Sequence, residues 1–145
     1  MNKILVVDGD DSMRMLYSEE LAEEGYEVIA TGDSTRVMGL IDGARPDLVI
    51  LDTRLGRSNG LDLLLDIRNL YYDLPVILYT CYPVYRRDMR SIAADYYVLK
   101  SSRLTELKHK VKMALEGPIQ SLSCAATEDA LVLGSVSMDQ SLFSF

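Results

Sequence analysis

The chain has 145 residues, 48% apolar and 26% charged, with a net charge of −7, which describes one soluble domain whose core needs neither disulfides nor a structural metal. An acidic chain without a basic stripe is poorly suited to gripping a phosphate backbone, so direct DNA binding is not expected, and Cys81 and Cys124 lack the spacing of a zinc site. No apolar run approaches the ~18 residues of a membrane span and the N-terminus has no cleavable-leader pattern, so a cytoplasmic protein without membrane attachment is expected.

Ile4 to Val7 reads as a first strand, ending in Asp8 with Asp10 and Asp11 just beyond. Met13, Leu16, Tyr17 and Leu21 follow at helical spacing. Val28 to Ala30 is a second strand, and Val37, Leu40 and Ile41 mark a second helix. Leu48 to Leu51 is a third strand ending at Asp52, followed by a helix with Leu61, Leu64 and Leu65 on one face. Val76 to Tyr79 is a fourth strand ending at Thr80. Val84 to Ala94 is rich in charge and offers only Met89, Ile92 and Ala93 as an apolar stripe, which predicts a short fourth helix with Arg86, Arg87 and Arg90 on a solvated face. Tyr97 to Leu99 is a fifth strand ending at Lys100, and Leu104, Leu107, Val111 and Leu115 carry a fifth helix for which Ser102 suits the N-cap. His109, among lysines on that helix, reads as solvated.

Short apolar runs alternating with amphipathic ones are the pattern of strands joined by crossover helices into a parallel α/β sheet. The first, third and fourth strands are apolar enough for burial on both faces. Gly43, Gly60 and Gly117 stand at expected helix ends, and Pro46 and Pro75 lead into strands. From Pro118 the composition changes: both phenylalanines lie there and no Lys or Arg does. The expected organisation is therefore a domain over residues 1–117 and a tail over 118–145. That tail reads as weakly ordered and without chemistry, or else as a docked segment in which Leu131, Val132, Leu133, Leu142, Phe143 and Phe145 cover an apolar patch.

In a parallel α/β sheet, chemistry gathers outside the carboxyl ends of the strands. Those ends hold Asp8, Asp52, Thr80 and Lys100. Converging carboxylates are costly without a cation, and hard oxygen donors suit Mg²⁺. A lysine and a hydroxyl opposite them complete a cleft fitted to a phosphoryl group, whose charge needs cations around it.

With Ile-Leu-Val-Val-Asp at 4–8, Leu-Val-Ile-Leu-Asp at 48–52, Asn-Gly-Leu at 59–61, Leu-Pro-Val-Ile-Leu-Tyr-Thr at 74–80 and Tyr-Val-Leu-Lys at 97–100, the chain resembles the receiver domain of two-component response regulators, a chemotaxis-type receiver over about residues 3–116. The resemblance implies a flavodoxin-like, doubly wound five-stranded parallel sheet of order 2-1-3-4-5 with five helices. It implies that Asp52 accepts a phosphoryl group from a histidine kinase or histidine phosphotransfer protein, that Thr80 and Lys100 contact the phosphoryl oxygens, and that Tyr97 is an aromatic switch working with Thr80. It places Mg²⁺ on Asp8, Asp52 and the Thr53 backbone carbonyl. On this reading the protein is not a conventional enzyme: phosphorylation shifts a two-state face, running from the fourth strand to the last helix, that a partner protein reads.

Three positions depart from the family pattern. Gly9 stands where a second metal-binding carboxylate is usual, which predicts weakened Mg²⁺ dependence, with Asp10 reaching the ion through a water as a substitute. Gly56 and Ser101 replace prolines, which predicts looser loops. Residues 118–145 are too few for a helix-turn-helix unit and its linker, so output is expected through another protein or through a homodimer. The alternative function, motivated by Gly9, is a degenerate receiver serving as a phosphorylation-independent interaction scaffold. A flavodoxin-like cofactor enzyme is disfavoured by the acidic loop Asp8-Gly9-Asp10-Asp11, where a phosphate-bearing cofactor wants backbone amides and hydroxyls.

Overall fold

A computed structural model describes residues 1–100 and 103–117. Five parallel strands, β1 (Lys3–Val7), β2 (Glu27–Thr31), β3 (Leu48–Leu51), β4 (Val76–Thr80) and β5 (Tyr96–Leu99), form one sheet of order β2-β1-β3-β4-β5. The helices are α1 (Asp11–Glu23), α2 (Ser34–Ala44), α3 (Gly60–Leu70) and α4 (Leu104–Glu116). The doubly wound topology expected from the alternation of elements is the one observed. No helix among the described residues is long and apolar enough to cross a membrane.

Burial follows the order of the strands. The central strands β1, β3 and β4 are buried almost throughout, whereas β2 and β5, at the sheet edges, keep partly exposed positions. Alternate residues therefore feed two cores. Leu5, Val7, Val49, Leu51, Val76 and Leu78 pack against α2 and α3, while Ile4, Val6, Leu48, Ile50, Ile77 and Val98 pack against α1 and α4. Lys108 on α4 reaches Glu20 of α1 at 2.8 Å and so ties the two helices of the second core together.

The expectation of five helices is corrected. In place of the fourth are two 3₁₀ turns, Pro83–Arg87 and Met89–Ala93. Asp88 between them is extended (φ −74°, ψ 129°) and its carboxylate accepts from the Arg90 amide, so it ends one turn and caps the next. The expected stripe also fails: Met89 and Ile92 are 81% and 77% exposed, and of the three residues only Ala93 packs on the core. Without a buried stripe nothing holds the segment in a regular α-helix. Arg86 and Arg87 are exposed as expected, but for Arg90 the solvated reading is corrected, since it pairs with Asp62 at 2.6 Å and with Asp88 at 2.7 Å, pulling the Asp88 carboxyl down to about 2.

Arg68 of α3 holds this segment from beneath, donating to the carbonyls of Ala93, Tyr72 and Leu74 and to Asp95. Helix α2 runs through Gly43 and stops two residues later, at Arg45, whose φ of 54° is left-handed. Pro46 explains the stop, because the residue before proline is excluded from the right-handed helical region. Ser101, Ser102 and residues 118–145, with the capping and docking readings placed on them, lie outside the described residues.

Candidate functional site

The strand register brings the chemistry together. Val7 lies beside Leu51 and Thr31, so Asp8 and Asp52, the residues that follow β1 and β3, come out of the sheet side by side. The Asp52 amide donates to the Val7 carbonyl at 2.9 Å, and the Lys100 amide donates to the Thr80 carbonyl at 2.8 Å. Gly60, the first residue of α3, makes the close approach behind Asp52 feasible: a Cβ there would fall 2.0 Å from the Asp52 carbonyl oxygen.

Lys100 is the centre of charge. Its Nζ lies 2.6 Å from Asp8 and 3.3 Å from Asp52, and the side chains of the three are 10%, 3% and 12% exposed. Tyr17 and Tyr79 wall the ammonium, each ring centroid 5.7 Å away, and burial raises both phenols above their ordinary range. Two carboxylates share one cation, so one negative charge is left uncompensated. Burial pushes the Asp52 carboxyl above its usual range, and the Lys100 charge opposes that without cancelling it. Burial draws Lys100 down, but its bond to Asp8 and the charges of Asp52 and Asp8 outweigh this and hold it above the usual lysine range.

These groups line a cleft of about 330 Å³ bounded by Asp8, Asp10, Asp52, Arg54, Tyr82 and Lys100. Thr80 is fully buried beneath it. Its hydroxyl is bonded to that of Thr53 at 2.7 Å and accepts from the Tyr82 amide at 3.2 Å. Tyr97 is half-buried, with its hydroxyl donating to the Tyr82 carbonyl and the Arg86 guanidinium 4.9 Å over its ring.

Two expected metal donors also accept hydrogen bonds within the chain. The Asp10 carboxylate caps α1 by accepting from the Met13 amide at 3.0 Å. The Thr53 carbonyl accepts from the Gly60 amide at 2.8 Å, and the carbonyl that looks toward Gly9 is that of Arg54, 3.4 Å from where a Gly9 Cβ would stand. Among the described residues no three carboxylates, histidines or cysteines converge on one point. The oxygens of Asp8 and Asp52 nevertheless face a single cation, Lys100, and leave net negative charge, a donor chemistry that fits Mg²⁺. Gly56 has a φ of 63° and turns the short hairpin that pairs Arg54–Leu55 with Ser58–Asn59, a conformation closed to proline.

Sequence reasoning missed Tyr82 and Cys81 at the rim, whereas Arg54 is legible there because it follows the expected acceptor by two residues. Tyr82 joins Arg54 through a 3.0 Å bond to its hydroxyl and a guanidinium 4.5 Å over its ring, and Cys81 beside it is exposed at the same mouth. Nothing local announces this, because the two residues are 28 apart in the chain and meet only across two strand ends.

The family model for the response regulator receiver domain matches residues 4–112. The response regulator TrrA of Thermotoga maritima, solved in complex with Mg²⁺ and BeF, is 43% identical, with a TM-score of 0.76 over 79% of this chain and 100% of that one. A chain from the structure of histidine kinase ThkA in complex with TrrA matches at 43% identity and a TM-score of 0.74, covering 79% of this chain and 99% of its own. The regulatory protein AtoC of Escherichia coli is 30% identical over 118 residues, 80% of this chain and 26% of AtoC. The chain spans from about a quarter to under two thirds of the curated relatives it matches. None of these matches supports the phosphorylation-independent scaffold.

Proposed function

The chain belongs to the response regulator receiver family, and from that premise we propose that Asp52 is its phosphoacceptor, loaded by a histidine kinase or a histidine phosphotransfer protein. The observation that carries this reading is the Asp52 carboxylate itself. It is largely but not fully buried, forms the longer of the two bonds to Lys100, and lines the open cleft. A carboxylate desolvated by burial and loosely paired is a better nucleophile than one locked in an ion pair.

An Asp52 oxygen attacks phosphorus, the P–N bond of the phosphohistidine breaks, and its electron pair stays on the imidazole. Lys100 moves its charge from the free carboxylate toward the incoming phosphoryl oxygens, while Asp8 keeps hold of its other side. Asp8, Asp52 and the Arg54 carbonyl, rather than that of Thr53, would hold Mg²⁺, which would neutralise phosphoryl charge when bound. Thr80 trades its bond with Thr53 for one to the phosphoryl group. The Thr80 hydroxyl also accepts from the Tyr82 amide, and the Tyr82 carbonyl accepts from Tyr97, so this trade loosens the backbone on which the Tyr97 hydroxyl rests. The face around β5 and the 3₁₀ turns then changes, and a partner protein reads it.

Intact-protein mass spectrometry after incubation with acetyl phosphate and Mg²⁺ tests the assignment. The native chain should gain one phosphoryl mass and Asp52→Ala none. An equal adduct in Asp52→Ala would place the acceptor elsewhere, and no adduct from either acetyl phosphate or a phosphorylated kinase would refute the reading.

A further inference from the structure

We propose that Arg54 is a phosphoryl-binding residue: its guanidinium is parked on Tyr82 in the unphosphorylated protein and swings onto the phosphoryl group carried by Asp52. This rests on the assignment of Asp52 as phosphoacceptor and adds a residue to that site. Three observations carry it.

The first is charge. Asp8 and Asp52 already exceed the single ammonium between them, and a phosphoryl group on Asp52 adds a further negative charge to a cleft that Gly9 leaves short of one cation-binding carboxylate. A site that recruits a metal less strongly has greater need of a second fixed cation. Arg54 is the only other cationic side chain lining that cleft among the described residues.

The second is reach. Arg54 follows Asp52 by two residues, and its backbone amide points at Asp52 Oδ1 from 3.4 Å. Its exposed side chain borders the same opening and moves between Tyr82 and the acceptor by rotation about its own bonds.

The third is the weakness of the parking place. The guanidinium is held by one bond to a neutral phenol at 3.0 Å and by the ring face at 4.5 Å, both at the solvent boundary. A phosphoryl group offers charged oxygens in the geometry of the guanidinium fork, and such bonds are about twice as strong as neutral ones. The exchange is therefore favoured by phosphorylation of Asp52.

It has a further consequence. Tyr82 loses its guanidinium partner, and the Tyr82 ring, 5.9 Å from that of Tyr85, is freed at the edge of the surface that Tyr97 and Arg86 occupy. Arg54 thus connects the acceptor to the reading face by a route separate from Thr80. In the chemical step it transfers no proton: an Asp52 oxygen bonds to phosphorus, acetate departs from acetyl phosphate with the electron pair of the broken P–O bond, and Arg54 N–H groups stay on the phosphoryl oxygens throughout.

The test compares the native chain with Arg54→Met, which keeps the stem and removes the charge, with Arg54→Lys, and with Tyr82→Phe, which removes the parking bond. Adduct formation from acetyl phosphate is followed by intact mass at fixed Mg²⁺, and the Arg54 Nε–H resonance is followed by ¹H–¹⁵N NMR before and after loading. Arg54→Met should load about tenfold more slowly, the scale set by removing one charge-assisted hydrogen bond. Arg54→Lys should fall between it and the native chain, Tyr82→Phe should load at least as fast as native, and the Arg54 resonance should shift on loading. Native loading rates in Arg54→Met, or an Arg54 resonance unmoved by loading, would overturn the role of Arg54 and leave Asp52 as acceptor. A native chain that takes no phosphoryl group at all would overturn both.

Discussion

Replacing Lys100 with methionine keeps a stem between Tyr17 and Tyr79 but removes the ammonium that stands 2.6 Å from Asp8 and 3.3 Å from Asp52. Both carboxylates are then left together in a cleft where their side chains are 3% and 12% exposed. Removing one partner of a buried ion pair costs about 3–5 kcal/mol, against a total of about 5–15 kcal/mol for a domain. The variant should therefore fold but stand near its limit at pH 8.

Protonation offers it relief. With no cation between them the two acids share a proton, and the pair titrates above the unfolded aspartate value of about 3.9. Folded protein then binds more protons than unfolded protein across that window, so stability is greatest at low pH and falls as pH rises through the folded value. Native Asp52, raised by burial, has the same sign in weaker form because Lys100 opposes it.

Urea unfolding followed by circular dichroism at pH 5 and pH 8 measures the effect. With a slope near 1.5 kcal/mol/M, within the usual range of about 1–3, a loss of 3 kcal/mol moves the midpoint down by about 2 M. We expect that shift at pH 8, less than half of it at pH 5 relative to native protein at the same pH, and recovery at pH 8 in Asp8→Asn/Lys100→Met. A loss equal at both pH values, or no recovery in the double variant, would refute the charge argument and leave poorer packing as the cause.

Gly9→Asp should fold, since its Cβ meets the Arg54 carbonyl oxygen at an ordinary 3.4 Å. It adds a third carboxylate, so we expect a lower Tm than native without Mg²⁺ and a larger rise on adding MgCl₂, about 5 °C more for each tenfold gain in affinity; equal Mg²⁺ responses would show that Gly9 does not limit the site. Gly60→Ala places a methyl 2.0 Å from the Asp52 carbonyl oxygen, a backbone atom that cannot step aside, and should cost about 3 kcal/mol or more in urea unfolding; a loss under about 1 kcal/mol would contradict the close approach. Arg68→Gln strips the carbonyls of Ala93 and Leu74 of their donor and should cost about 2–3 kcal/mol, with amide exchange rising first in residues 83–95; uniform exchange across the domain would argue against a local clamp.

How much could be read in the chain beforehand varies with the range of the forces involved. The strands Leu48–Leu51 and Val76–Thr80 are legible because residues buried on both faces must be apolar without interruption, a constraint that survives in one dimension. Asp8, Asp52, Thr80 and Lys100 are legible for a related reason: each follows or ends a strand's apolar run, and a parallel sheet puts those ends on one side. Burial of the first three in a cleft or beneath it, and the bonds of Lys100 to two of them, follow from register.

The 3₁₀ turns were not legible, because Met89 and Ile92 have helical spacing and only the packed molecule shows that neither is buried. The capping role of Asp10 was not legible either, since its partner, the Met13 amide, exists as an open donor only once α1 has formed. The order of elements and the identity of the acidic cleft are thus consequences of local pattern. The partners of the Thr80 hydroxyl, the bond of the Thr53 carbonyl to the Gly60 amide and the meeting of Arg54 with Tyr82 depend on distances that only the folded chain sets. A side chain has no partner to choose until the sheet brings those residues within a few ångströms.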